Sequence, residues 1–250
     1  MKKPLIIGGA VLGSLLAAAL VIFIFFPGLP TYLKVKHKYD NIDSRVPEFP
    51  RVEIPADYVT HTIRGVTFSA PSDWEAHSAI SGFEPSSYRA ADEKSMIIAI
   101  RFDQSYYDIL YSEDAEYDPW EGYDHSVEEY RHFFSKTGSD PPGKWLNMLI
   151  IWLARDGFTA KDCLKLRGTD LDVFEELAEI KENSPNIENS WKTSGEGFKA
   201  YIGQVTGYGY DGGIWTYTVI PNDSEDLIVV TVKCADETTA KQIISSIELE

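Results

Sequence analysis

The sequence predicts an α+β fold: an N-terminal transmembrane helix followed by a mostly antiparallel sheet flanked by helices. Three observations carry this expectation. Residues 4 to 26 form an uncharged apolar run, long enough at about 1.5 Å per residue to cross a hydrocarbon core. From residue 58 onward, short runs rich in β-branched and aromatic residues alternate with period two, the mark of half-buried strands. Between and after them lie segments with apolar residues at helical spacing behind good caps.

On this reading the chain divides into a short basic N-terminus at 1–4, an anchor at 5–26, a juxtamembrane stalk at 27–57 and a globular α+β domain at 58–250. The anchor has one hydroxyl, Ser14. Ala17 and Ala19 give an A-x-A pattern, but Leu20 to Phe26 continue the apolar run, so the segment reads as uncleaved. Pro27, Gly28 and Pro30 end the helix, and Tyr32 follows as an interfacial aromatic. Lys2 and Lys3 precede the run, and Lys34, Lys36, Lys38 and Arg45 follow it, so the positive-inside rule is nearly balanced. A short basic N-terminus before a first apolar run is the pattern of a signal anchor, and places the large domain outside the cytoplasm. Pro47, Pro50 and Pro55 favour an extended stalk.

The domain opens with YVTHTI, where Val59, His61 and Ile63 share one face. Arg64-Gly65 turns the chain into a second strand, Val66 to Ala70. MIIAIRF, residues 96 to 102, reads as a central strand. Ser126 and Glu129 form a capping box before a helix with Val127, Tyr130, Phe133 and Phe134 inward, closed by Gly138. KWLNMLIIWLARDG, residues 144 to 157, is a mostly buried helix too short to be a second span. A short helix at 159–166 and a longer one from Thr169 look like a helix-turn-helix. The second presents Asp170, Asp172, Glu175, Glu176 and Glu179, which excludes a recognition helix. Phe198 to Tyr208, Ile214 to Ile220 and Leu227 to Cys234 are strands. Asp236 caps a last helix with Ala240, Ile243, Ile244 and Ile247 inward.

Gly207, Gly209 and Gly212 match G-x-G-x-x-G, but a dinucleotide loop needs a helix after it. Here IWTYTVI follows, a strand, so Asp211-Gly212 reads as a hairpin turn. GVTFSAPSDW, with Pro71 and Trp74, and LIVVTVKCADETTAKQIISSIELE resemble the terminal segments of the PsbP/Mog1-like family. That resemblance implies an antiparallel sheet flanked by helices in a family of binding and assembly factors. It carries no functional residues with it.

The formal net charge of −16 excludes nucleic acid as a partner, because the surface repels phosphates. Cys163 and Cys234 read as two buried thiols, or as one disulfide in an oxidising compartment. His37, His61, His77, His125 and His132 form no H-E-x-x-H, and there is neither a G-x-S-x-G elbow nor a phosphate-binding lysine loop. Residues 105 to 126 join carboxylates to aromatics. Asp114, Glu116, Asp118, Trp120 and Tyr123 are the candidate binding residues, on a solvated loop facing a sugar or a cationic partner. Asp114, Glu116 and Asp118 alternate as calcium ligands can, although Pro119 and His125 stand where an EF-hand needs glycine and glutamate. No other cofactor is expected. The expected function is a membrane-anchored, extracytoplasmic binding or assembly module with a protein partner at the envelope. The alternatives are an envelope hydrolase with a site built from scattered residues, and a structural subunit of a membrane complex, for which Gly9 and Gly13 supply one G-x-x-x-G.

Overall fold

The computed structural model describes residues 17–18, 20–78, 86–91, 94–110, 120–138, 144–183, 187–205, 213–234 and 236–250. The named helices are α1 (Leu29–Lys38), α2 (Gln104–Leu110), α3 (Val127–Thr137), α4 (Leu146–Gly157), α5 (Thr169–Asn183) and α6 (Glu237–Ser245), with a 3₁₀ helix at Ala160–Lys165. The strands are β1 (Val59–Ile63), β2 (Val66–Ala70), β3 (Glu75–His77), β4 (Ser87–Arg89), β5 (Met96–Phe102), β6 (Ile187–Gly195), β7 (Phe198–Val205), β8 (Ile214–Pro221), β9 (Leu227–Lys233) and β10 (Glu248–Leu249). The chain separates into two compact units, one of residues 1–45, 122–141 and 149–184, the other of 46–121, 142–148 and 185–250.

The second unit is built on sheet. Seven strands run in the order β3-β4-β5-β9-β8-β7-β6, and β1, β2 and β10 form a smaller sheet. Every strand pairing is antiparallel. Period-two alternation sets which side chains go inward. Val66, Phe68 and Ala70 of β2 are buried, as are Ile228, Val230 and Val232 of β9. Ala240, Ile243, Ile244 and Ile247 pack into the same core, so the last helix buries the face its spacing predicts. Asp236 caps it by accepting from the Thr239 amide at 2.7 Å. β5 is flanked by β4 and β9, as its apolar run requires.

Strand β6 lies at the sheet edge, where unpaired backbone groups invite association. Residues of the proline-rich segment blunt it. The Phe49 amide donates to the Lys192 carbonyl and the Lys192 amide donates to the Pro47 carbonyl, each at 2.8 Å. Part of the expected stalk is therefore folded against the sheet, with Val46 and Phe49 buried. β7 and β8 stay in register up to Val205↔Ile214. A strand thus follows the glycine-rich stretch, which excludes a dinucleotide loop. Residues 206–212, including Asp211-Gly212, lie outside the described residues.

His61 sits in this unit with its ring 4.4 Å from Tyr88 and 5.6 Å from Phe68. Its Nε2 is buried without a partner among the described residues, and burial lowers its pKa. The folded state then holds fewer protons than the unfolded one, whose histidine titrates near 6.5. Stability is lost as pH falls below about 6.5. The denaturant midpoint should drop between about pH 7 and pH 5, and drop less in His61→Phe. An equal pH dependence in both proteins would remove His61 as the cause.

The first unit is helical. Ser126 accepts from the Glu129 amide at 3.4 Å and Glu129 accepts from the Ser126 amide at 2.8 Å, completing the expected capping box of α3. Gly138 ends α3 with φ of 80°, a left-handed cap that glycine adopts at least cost. Tyr130, Phe133 and Phe134 are buried, and Phe133, Phe158 and Phe174 meet with ring centroids 5.1–6.2 Å apart. Lys181 is buried against them, its Nζ donating to the Phe158 carbonyl at 2.8 Å over the Phe158 ring. Burial pushes its amine down to about 8. Cys163 and Cys234 are both free and buried, and burial pushes the Cys163 thiol up to about 12, which makes it unreactive near neutrality.

The expected transmembrane anchor over 5–26 is corrected. Among the described residues no helix is long and apolar enough to cross a membrane. Residues 17–18 and 20–25 are helical, and the chain turns at Pro27-Gly28. Leu29–Lys38, within the segment read as stalk, then forms α1 with Val35 buried. Residues 5–16 and Ala19 of the anchor segment, Gly9 and Gly13 among them, lie outside the described residues, as do residues 1–4. The single-pass, signal-anchored membrane localisation with an extracytoplasmic domain is corrected with it.

Candidate functional site

The helical unit carries a cleft of about 540 Å³ between α1, the chain before α3, and α5. Helical spacing makes its walls. Asp172, Glu175, Glu176 and Glu179 recur at intervals that share one face of α5, while Val173, Phe174, Leu177 and Ala178 face the core. Lys34 and Lys38 share one face of α1 in the same way, with Val35 beside them. Tyr123, Asp124 and His125 supply the third wall.

The charges are unequal. Five carboxylates, from Asp124, Asp172, Glu175, Glu176 and Glu179, line the cleft against two lysines. Both lysines are engaged: Lys34 pairs with Glu175 and Lys38 lies 3.6 Å from Glu179. Glu175 and Glu179 also accept from Thr31 at 3.3 Å and Tyr39 at 3.5 Å. The carboxylates of Asp124 and Asp172 form no salt bridge among the described residues, and both residues are exposed.

Glu176 is the fixed point of the site. Its carboxylate accepts from the Asp124 amide at 3.0 Å and from the Tyr130 hydroxyl. Burial and then Glu176 hold the Tyr130 phenol above its usual range, so it stays a hydrogen-bond donor. His125 stands between two carboxylates, with Nδ1 3.7 Å from Glu129 and Nε2 3.8 Å from Glu176. The Ser126 amide and hydroxyl hold the Glu129 carboxyl below its usual range. The capping box thus places one carboxylate beside the imidazole, and α5 places the other.

Of the expected binding residues, Tyr123 lines this cleft and packs edge-on against Tyr130 at 6.0 Å. Trp120 is half-buried in the sheet unit. Asp114, Glu116 and Asp118 lie outside the described residues, and with them the calcium expectation. Among the described residues no group of three His, Cys, Asp or Glu is arranged to hold a metal. Sequence reasoning missed Lys34, Lys38, His125 and Glu176 as site residues. The i, i+3, i+4, i+7 acidic stripe of α5 and the i, i+4 lysines of α1 were the signal that could have found that cleft.

No protein-family model matches the chain, and no curated protein matches its sequence.

Proposed function

We propose that the protein is a binding module whose cleft takes a cationic segment, rich in lysine or arginine, of a protein partner. One observation carries this: the cleft sets five carboxylates against two lysines that are already paired. Asp124 and Asp172 are the charges left to meet the ligand, and Tyr123 lines the cleft beside them. The net charge of −16 steers such a partner in.

A labelled penta-lysine peptide tests this by fluorescence anisotropy. Saturable binding is expected at about 50 mM salt, weakening at about 300 mM. Asp124→Asn with Asp172→Asn should weaken it about tenfold, or about 1.4 kcal/mol. Equal binding by the double variant would overturn the reading.

A second reading, a hydrolase using the same cleft, rests on His125 between Glu129 and Glu176. Converging imidazole and carboxylates are what general acid–base chemistry needs. His125→Gln separates the two: hydrolysis of a model ester or peptide is lost under the second reading, while peptide binding persists under the first.

A further inference from the structure

We propose that the helical unit carries a second ligand site, of opposite charge, which binds a multivalent phosphate group. The site is a cavity of about 550 Å³ lined by Lys136, Lys161, Lys165 and Arg167, with Phe26 and Leu166 as apolar wall. In a chain of net charge −16, four cations around one cavity run against the overall field.

Among the described residues, the acids that line the cavity or act on it already have partners. Asp170 lines the cavity, but it pairs with Lys136 and lies 3.8 Å from His132 Nε2. Asp162 also lines it, but its carboxylate accepts from the Thr159 amide at 2.6 Å and hydroxyl at 3.0 Å. Asp43 acts on Lys161 through its charge, yet it is bonded to Lys36 at 2.7 Å and to the Ala160 amide at 2.9 Å. Lys161, Lys165 and Arg167 form no salt bridge among the described residues. Arg167 donates to the Ile24 carbonyl at 2.9 Å, which anchors its guanidinium and leaves its other N–H groups for a ligand.

Four cations against two carboxylates leave the cavity with an excess of two positive charges, which favours an anion of two or three charges over a single carboxylate. The planar fork of an arginine suits paired phosphate oxygens, and lysines add point charges. Phe26 and Leu166 give an organic substituent a surface to cover, so the ligand class is a phosphate or pyrophosphate ester. This site shares no lining residue with the acidic cleft, so the two readings fail separately.

Inorganic pyrophosphate, titrated calorimetrically into the full chain in metal-free buffer at about 50 mM salt, is the probe. Saturable one-site binding is expected. K161Q with K165Q should weaken it at least about tenfold, K161R with K165R should retain it, and D172N should leave it unchanged. These lysines are on the surface of a 3₁₀ helix, and far-UV circular dichroism checks that each variant is folded. No saturable heat with the folded wild type would overturn the proposal. So would K161Q/K165Q binding within about twofold of wild type.

Discussion

Gly28→Ala should unfold or severely loosen the helical unit. A Cβ at this position would lie 1.8 Å from the Cys163 carbonyl oxygen, 2.7 Å from its carbon and 3.2 Å from Leu171 Cδ2. Backbone atoms cannot move aside as a flexible side chain can. The approach is close because the Gly28 amide donates to the Leu164 carbonyl at 3.2 Å, clamping the start of α1 onto the 3₁₀ helix. The backbone there is ordinary, with φ of −82°, so the cost is steric and not conformational. Overpacking of this kind costs about 3 kcal/mol or more. Gly138→Ala is the contrast: its φ is 80° and nothing among the described residues lies within 4 Å of the added Cβ, so only about 1 kcal/mol is expected. Chemical denaturation of both variants, followed by circular dichroism, checks the difference. A Gly28→Ala protein as stable as Gly138→Ala would refute the packing argument. The same contact holds Phe26 beside the phosphate cavity, so pyrophosphate binding should fall with it.

Trp215→Ala should cost about 3–5 kcal/mol in the sheet unit, the range for emptying a buried aromatic site. Trp215 is fully buried in β8 and stacks on Trp191 with ring centroids 5.4 Å apart and planes 17° from parallel. Both its neighbours in register, Gln204 on β7 and Val232 on β9, are strand residues that cannot close in on a cavity without breaking pairing. Its indole Nε1 is buried with no hydrogen-bond partner among the described residues, so packing carries the expected effect. Trp215→Phe should therefore recover much of the loss, leaving about 1–2 kcal/mol. If Phe were as damaging as Ala in urea titrations monitored by circular dichroism, an unseen partner of the indole nitrogen would have to be invoked.

The elements that local pattern specifies were readable in advance. The Ser126–Glu129 capping box, the buried Tyr130, Phe133 and Phe134, the alternation of β2 and β9, and the inward face of α6 each depend on residues a few positions apart. Their physics is complete within a window of one or two turns or one strand. β6 was not anticipated, because NSWKTSG lacks a clear apolar alternation and is a strand through its pairing with β7. The proline-rich segment 46–57 shows a related limit. Prolines at 47, 50 and 55 do favour extended backbone, but Pro47 and Phe49 use that backbone to cover the edge of β6. The anchor rested on the hydropathy of residues 4–26, and among the described residues no helix is long and apolar enough to cross a membrane.

The candidate site divides along the same line. The acidic stripe of α5 and the lysine pair of α1 are local periodicities, and the sequence by itself determined which faces carry charge. It also determined the α+β mix of antiparallel strands and helices, though not the transmembrane helix expected with it, and the excess of carboxylates and the cap that positions Glu129. That these faces meet across one cleft was decided only by the tertiary structure. So was the placement of His125 between Glu129 and Glu176, and the gathering of Lys161, Lys165 and Arg167 around a cavity with Lys136. These juxtapositions join residues 4 to more than 140 positions apart in the chain. They are set by helix packing and by close contacts such as Gly28 against Cys163, and no periodicity encodes which face of one helix will meet another.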